Sequence, residues 1–316
     1  MKTLLIMVCL APSAYALESG ANFLKIDASA RAVSMGAAYT ALAEGVDSIA
    51  YNPAGLASAR GVELGFSHTN WLMESRHDFI SVAVPMGSKE SNEKREEHRG
   101  ITLGFGLTRL SNSDIEVRNA DRSLGGSFKS YDQSVLLGMA GMMGKYRLGI
   151  GAKYIESVIA GEKARAVAAD FGFSRRMNRL PISLGISVQN VGTPMKYISQ
   201  KDPLPLTLAG GIAVPIVPGL NLAADVKRFV YDKQNKVSFG MEYAVLSGFA
   251  LRSGYMLNSA VKHEASGIKN GFSAGAGINF WNTMLDYSVT PYGELGDTQK
   301  LSLKKKILSS FLHIYI

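Results

Sequence analysis

From Val62 onward the dominant pattern of the chain is a period of two, in which apolar residues alternate with small or polar ones. At 101–108 Ile101, Leu103, Phe105 and Leu107 alternate with Thr102, Gly104, Gly106 and Thr108. At 272–280 Phe272, Ala274, Ala276, Ile278 and Phe280 alternate with Ser273, Gly275, Gly277 and Asn279. Successive side chains of a strand point to opposite faces, so a period of two predicts strands with one apolar and one small or polar face. Alternation alone does not separate a soluble sandwich from a membrane barrel.

Connection lengths carry the argument further. Fourteen candidate strands run from 62–71 to 298–303, and tight breaks such as Gly144-Lys145, Pro218-Gly219 and Trp281-Asn282 alternate with mostly longer polar ones at 110–129, 158–164, 191–204 and 258–270. An even strand count with short turns at one end and long loops at the other is the pattern of a transmembrane antiparallel β-barrel. The exception is the charged run Lys89 to Arg99, which falls where a short turn belongs. Composition agrees: charged residues make up 19% of the chain and there are 33 glycines in 316 residues, whereas soluble domains carry about 25% charge. Past residue 16 no apolar run approaches the roughly 18 residues of a membrane helix. Trp71, Trp281, Tyr243, Tyr255 and Tyr287 fall near strand ends, where either an interfacial girdle or core packing would use them.

The first sixteen residues read as a signal peptide: Lys2, the apolar stretch Leu4 to Ala11, then Ala14-Tyr15-Ala16 as an A-x-A site. The one cysteine, Cys9, lies in that stretch, so the remainder has none and is compatible with an oxidising compartment. The expected organisation is a signal peptide over 1–16, an N-terminal segment over 17–60, a barrel over 61–303 and an atypical tail over 304–316. The net charge of +8 is scattered instead of striped, which argues against a nucleic-acid partner and leaves membrane lipid as the expected surroundings.

Residues 17–60 are different in kind. An alanine-rich stretch predicts a short helix from about Ala30 to Ala43, ended by Gly45. The segment is too small to fold alone. A fourteen-stranded barrel has a lumen that its own side chains do not fill, so these residues are expected to plug it as a hatch. In Asn52-Pro53-Ala54-Gly55-Leu56, proline restricts Asn52 to extended backbone and Gly55 permits a positive φ. The result is a sharp turn where hatch meets barrel, serving as a packing element or as a gate. Arg31, Glu44 and Asp47 would be lumen charges, which must pair or stay wet, and would serve in structural pairing or touch substrate. Phe23, Leu24 and Ile26 would line an apolar pocket for a hydrophobic molecule. Five histidines show no H-x-x-x-H spacing, and there is no G-x-S-x-G elbow or Walker loop. No catalytic residue, metal or cofactor is therefore expected.

The stretch GANFLKIDASARAVSMGAAYTALAEGVDSIAYNPAGLA (Gly20 to Ala57) resembles the N-terminus of the PorV/PorQ family, outer-membrane barrels related to the FadL transporters. VQNVGTPMKY (Val188 to Tyr197) with Leu204-Pro205, FGMEY (Phe239 to Tyr243), LRSGY (Leu251 to Tyr255) and LDYSVTPYGELGDTQKLSL (Leu285 to Leu303) extend the resemblance in order. It implies a fourteen-stranded outer-membrane barrel with an N-terminal hatch. It further implies a role with type IX-like secretion proteins and their cargo or, from the FadL side, passage of long-chain fatty acids or other hydrophobic compounds. The chain departs from the family at its end, where Leu301-Ser302-Leu303 runs into three lysines and ILSSFLHIYI in place of a terminal aromatic strand.

Taken together, signal and strands predict that the mature protein sediments with outer membranes, resists carbonate extraction and migrates differently on gels with and without boiling. Release as soluble periplasmic material would contradict the barrel.

Overall fold

The alternating faces close the sheet on itself. In the computed structural model, which describes residues 19–307 other than 88, 93–94, 99, 114, 120, 122, 178–179, 199 and 259–270, fourteen strands form one antiparallel barrel. In chain order the strands are β1 (Val62–Asn70), β2 (Arg76–Met86), β3 (Lys89–Asn92), β4 (Arg95–His98), β5 (Ile101–Ser111), β6 (Ile115–Arg118) and β7 (Leu124–Phe128). There follow β8 (Ser130–Met143), β9 (Tyr146–Ile159), β10 (Glu162–Arg176), β11 (Ser183–Gly192), β12 (Met195–Tyr197), β13 (Gln200–Asp202) and β14 (Thr207–Val217). The last six are β15 (Leu220–Phe229), β16 (Gln234–Leu246), β17 (Phe249–Asn258), β18 (Phe272–Phe280), β19 (Thr283–Pro291) and β20 (Asp297–Ile307). Three pairs, β3-β4, β6-β7 and β12-β13, are hairpins outside the barrel, and the other fourteen strands close in chain order. The seam joins β1 to β20 with Phe66 opposite Leu303 and Ser67 opposite Ser302. Closure leaves the barrel itself without an unpaired strand edge.

The fourteen strands coincide with the alternating segments of the sequence. Connections at one end are short, including two-residue turns at Gly144-Lys145, Pro218-Gly219, Ser247-Gly248 and Trp281-Asn282. The charged run at 89–98 belongs to this end as the β3-β4 hairpin. The long-loop end has one tight connection of its own: β9 and β10 rise to Ala160-Gly161, both at positive φ (52° and 89°), so the expected loop at 158–164 is mostly strand. Two left-handed residues in succession match the twist of the flanking strands.

Burial inverts the order of a soluble protein. On β5 Ile101, Leu103 and Phe105 are 52%, 43% and 38% exposed while the intervening Thr102 is 4% exposed. The outward faces of the other strands carry Phe66, Leu137, Ile150, Ile186, Phe239 and Leu301, all exposed, and the inward ones carry Ser81, Ser134, Ser187, Ser238 and Ser288, all buried. An apolar exterior around a polar interior suits a barrel whose outside meets hydrocarbon. Trp281 is exposed at a turn and Tyr243 lies outward near the short-turn end. Trp71 departs from a girdle position, turning inward onto Tyr292 with ring centroids 5.6 Å apart.

Two boundaries differ from expectation. The last strand reaches Ile307, so Lys304, Lys305 and Lys306 pair with β1 instead of opening a tail at 304. In the hatch the helix is only α1 (Ala30–Ser34) and does not reach Ala43. Gly36 and Ala37 take left-handed backbone (φ 63° and 65°), because the chain leaves the helix to lie against the wall. Residues 1–16, read as the signal peptide, and 308–316 lie outside the described residues.

Phe105→Arg, which puts a guanidinium on the lipid face near mid-strand, should destabilise the folded barrel by about 2–4 kcal/mol. Urea titration of the protein in lipid vesicles, read by tryptophan fluorescence, measures it.

Candidate functional site

The hatch runs as irregular backbone inside the barrel, and such backbone needs partners for its N–H and C=O groups. The wall supplies them. Ala30 N–H donates to Ser302 Oγ at 2.8 Å and Gly36 N–H to Ser273 Oγ at 3.0 Å. Asp225 Oδ2 on β15 accepts the N–H groups of Tyr39 and Thr40 at 2.9 and 2.7 Å, and Glu63 Oε2 on β1 accepts that of Val46 at 2.9 Å. Inward glycines make this approach possible. A Cβ on Gly149 or Gly172 would overlap the Asn52-Pro53-Ala54 segment, one on Gly185 the carbonyl of Thr40, and one on Gly254 the backbone at Met35-Gly36. Ile49 and Leu56 fill the space in front of Gly104 and Gly138 and join a buried apolar cluster with Phe79 and Leu136.

The predicted lumen charges part company. Arg31 grips Glu242 of β16 with both arms of its guanidinium, Nε to Oε2 and Nη2 to Oε1, each at 2.8 Å. Glu242 is shared with Arg252 of β17 (2.6 Å), whose other side meets Asp286 of β19 at 2.6 Å. Asp47 pairs with Lys304 of β20 at 2.8 Å. Glu44 is exposed at the short-turn mouth. The three do not pair with one another; Arg31 and Asp47 find partners on the wall. Glu242, Arg252, Asp286 and Lys304 are functional candidates missed in the sequence. Each is a charge on the inward face of a strand, and three of them lie inside the segments FGMEY, LRSGY and LDYSV.

Asn52 is fully buried at the hatch turn, with backbone at φ −148° and ψ 100°, extended as its proline neighbour requires. Its Nδ2 donates to the carbonyls of Thr40 (3.1 Å) and Phe173 of β10 (3.0 Å), and its Oδ1 accepts from Ala54 N–H (3.2 Å). Pro53–Ser58 then form a 3-10 turn burying Pro53, Ala54, Gly55 and Leu56. Gly55 is not among the positive-φ residues; it is needed for room, since a Cβ there would overlap the Ala43 carbonyl and crowd Ser48.

Toward the long-loop end a cavity of about 400 Å³ opens between the start of the hatch and the wall. Phe23 and Ile26 line it with Val33, Trp71, Leu110 and Met256. Leu24 does not; it packs on the cluster of Ile155, Met195 and Leu204 under the β11–β14 connection. Lys25, Lys236 and Lys300 share the cavity with a single carboxylate, Asp27. Lys300 Nζ donates to the Asp27 carbonyl, while Lys25 and Lys236 lie 5.4 and 5.2 Å from the centroid of the Phe229 ring. Lys25 also pairs with Asp232 in the β15–β16 turn at 2.8 Å. Burial pushes the Asp232 carboxyl up, but Lys25 and the N–H and hydroxyl of Ser19 outweigh it and hold the group below its ordinary range. Tyr292, in the β19–β20 connection, is pushed up to about 12, first by burial and then by Asp27. It meets the cavity as a neutral hydroxyl.

No family profile matches the chain, and no curated protein matches it. Solved structures do. The toluene transporter TodX of P. putida is 13% identical with a TM-score of 0.56, covering 83% of this chain and 94% of its own. The toluene transporter TbuX of Ralstonia pickettii is 12% identical with a TM-score of 0.54, covering 88% and 97%. A Pseudomonas aeruginosa FadL homologue is 10% identical with a TM-score of 0.52, again covering 88% and 97%. The likeness is one of fold: a fourteen-stranded barrel similar to those of FadL-type transporters of hydrophobic molecules.

Asn52→Ala removes three hydrogen bonds from a buried turn and should loosen the hatch by on the order of 1–3 kcal/mol. The barrel should assemble normally, because its strands pair without this residue. Single-channel recording should show a higher or noisier conductance than that of the parent protein.

Proposed function

We propose that this chain is an outer-membrane conduit of the FadL type, without enzymatic activity. In this reading it takes up a hydrophobic compound with an anionic head, such as a long-chain fatty acid, through the long-loop cavity. The cavity carries the reading. Its volume falls in the range of about 300–1,000 Å³ typical of small-molecule sites, and its wall joins apolar side chains to neutral polar ones and to three ammonium groups, of which Lys25 is paired with Asp232. An apolar tail would lie against Phe23, Ile26, Leu110 and Met256, and the head would meet Lys236 or Lys300. A site for a neutral hydrocarbon has no use for buried lysines, whose desolvation is costly unless an anion offsets it. Arg31, Glu44, Asp47 and the Asn52–Leu56 turn belong on this view to the hatch below the site, and Phe23 and Ile26 to its floor.

The secretion role implied by the PorV/PorQ resemblance rests on sequence similarity alone, whereas the cavity and the named activities of the structural neighbours support transport. With the long loops outward, the cavity would face the medium and the hatch the periplasm.

Purified barrel should bind oleate, and Lys236→Met should weaken that binding roughly tenfold by removing one charge-assisted contact. Binding of a neutral probe such as toluene should hardly change. Failure of the parent protein to bind oleate in equilibrium dialysis would end the proposal.

A further inference from the structure

A second and larger cavity, about 840 Å³, opens at the short-turn end beneath the hatch. It is lined by seven basic side chains against two carboxylates, Glu44 and Glu63. Four of the cations are committed: Arg31 to Glu242 and Lys304 to Asp47, each at 2.8 Å, Lys306 to Glu63 at 3.7 Å, and Arg60, which has a partner as well. Lys145, Arg147 and Arg176 are not, and make no hydrogen bond or ion pair among the described residues.

These three are gathered by the sheet. Arg147 is the second residue of β9 and lies opposite Ser174 of β10, so Arg176, two residues on, is its diagonal neighbour. Diagonal neighbours across an antiparallel pair stand about 7–8 Å apart. Both fall on the inward side of the alternation that places Gly149 and Lys153 on β9, and Gly172 and Ser174 on β10, toward the lumen. Lys145 sits in the turn that precedes β9. Like charges so placed repel, and no described carboxylate forms an ion pair with them, although Glu44 and Glu63 line the same cavity.

We infer that Lys145, Arg147 and Arg176 form a binding site in the short-turn mouth for a phosphoryl group. The charge count selects the chemistry. One carboxylate carries a single charge and two oxygens, enough for one guanidinium. A phosphate or diphosphate carries more charge and more acceptor oxygens, and can take two planar guanidinium forks and an ammonium together. Two sources share this chemistry: a soluble phosphate ester in the compartment beneath the barrel, and the headgroup of a phospholipid at the rim. The inference is independent of the transport reading, which uses the opposite end of the lumen.

The test is titration calorimetry of inorganic pyrophosphate into full-length protein in phosphatidylcholine nanodiscs. Pyrophosphate should bind with an affinity that falls as salt is raised, and Arg147→Gln with Arg176→Gln should weaken it roughly tenfold or more. Unchanged heat-modifiable migration of the double variant keeps loss of binding distinct from loss of fold. Arg175→Gln removes an adjacent charge from the alternate face of β10, where Arg175 contacts Tyr146, and should leave binding as it was. Repeating the titration in phosphatidylglycerol nanodiscs separates the sources: competition assigns the site to a lipid headgroup, and undiminished binding to a soluble phosphate ester. No binding to the parent protein, equal binding by the double variant, or an equal loss with Arg175→Gln would overturn the inference.

Discussion

The governing constraint is the width of the lumen. Fourteen strands enclose more space than inward side chains fill, and this wall makes the deficit larger by placing glycine and serine where bulk would help. The N-terminal segment completes the interior, and the glycines are the condition for its doing so, because they let hatch backbone and wall backbone come into contact. Everything distinctive about the inner surface follows from that docking: the carboxylate of Asp225 under two hatch amides, the serine hydroxyls under two others, and Asn52 joining the hatch turn to β10.

The buried ions serve the same end. Desolvating Arg31, Glu242, Arg252 and Asp286 costs free energy that the pairing only partly returns, so such a cluster is weak evidence for stability. Its geometry is demanding, however, since a forked guanidinium from the hatch must meet a carboxylate already held by Arg252. The cluster therefore fixes where the hatch sits. The hatch in turn divides the lumen into two compartments of different character, an apolar one with lysines beside Asp27 and a polar one rich in uncommitted cations.

How much of this was legible depended on whether the signal was local. The fourteen strands were, because each residue of a membrane barrel answers to one of two opposed environments and the alternation records which. The reach of the hatch helix was not. Alanine propensity favoured continuing to Ala43, but docking against β16 and β17 turned the chain at Gly36 and Ala37. Gly55 was recognisable as necessary while the reason was not, because crowding by Ala43 and Ser48 is a tertiary fact. Arg31 and Asp47 were identifiable as inward charges, but their partners lie in β16 and β20, and periodicity assigns a face without assigning a neighbour. Phe23 and Ile26 reach the outer cavity and Leu24 does not, a distinction made by the short 3-10 turn Asn22–Lys25 and the extended backbone at Ile26 that ends it.

The pairing of Arg31 with Glu242 spans 211 positions of the chain, and Lys300 with Asp27 spans 273. Contacts so distant in sequence are slow to form, since the closure entropy of the intervening chain is lost before they contribute. The start of the hatch thus docks onto strands made after it, the last of the sheet among them. Until β16 to β20 have joined the sheet, Arg31 and Asp47 lack their counter-ions, although the Asn52 turn has its partners on β8 to β10. Completion of the interior therefore waits for the last strands of the wall.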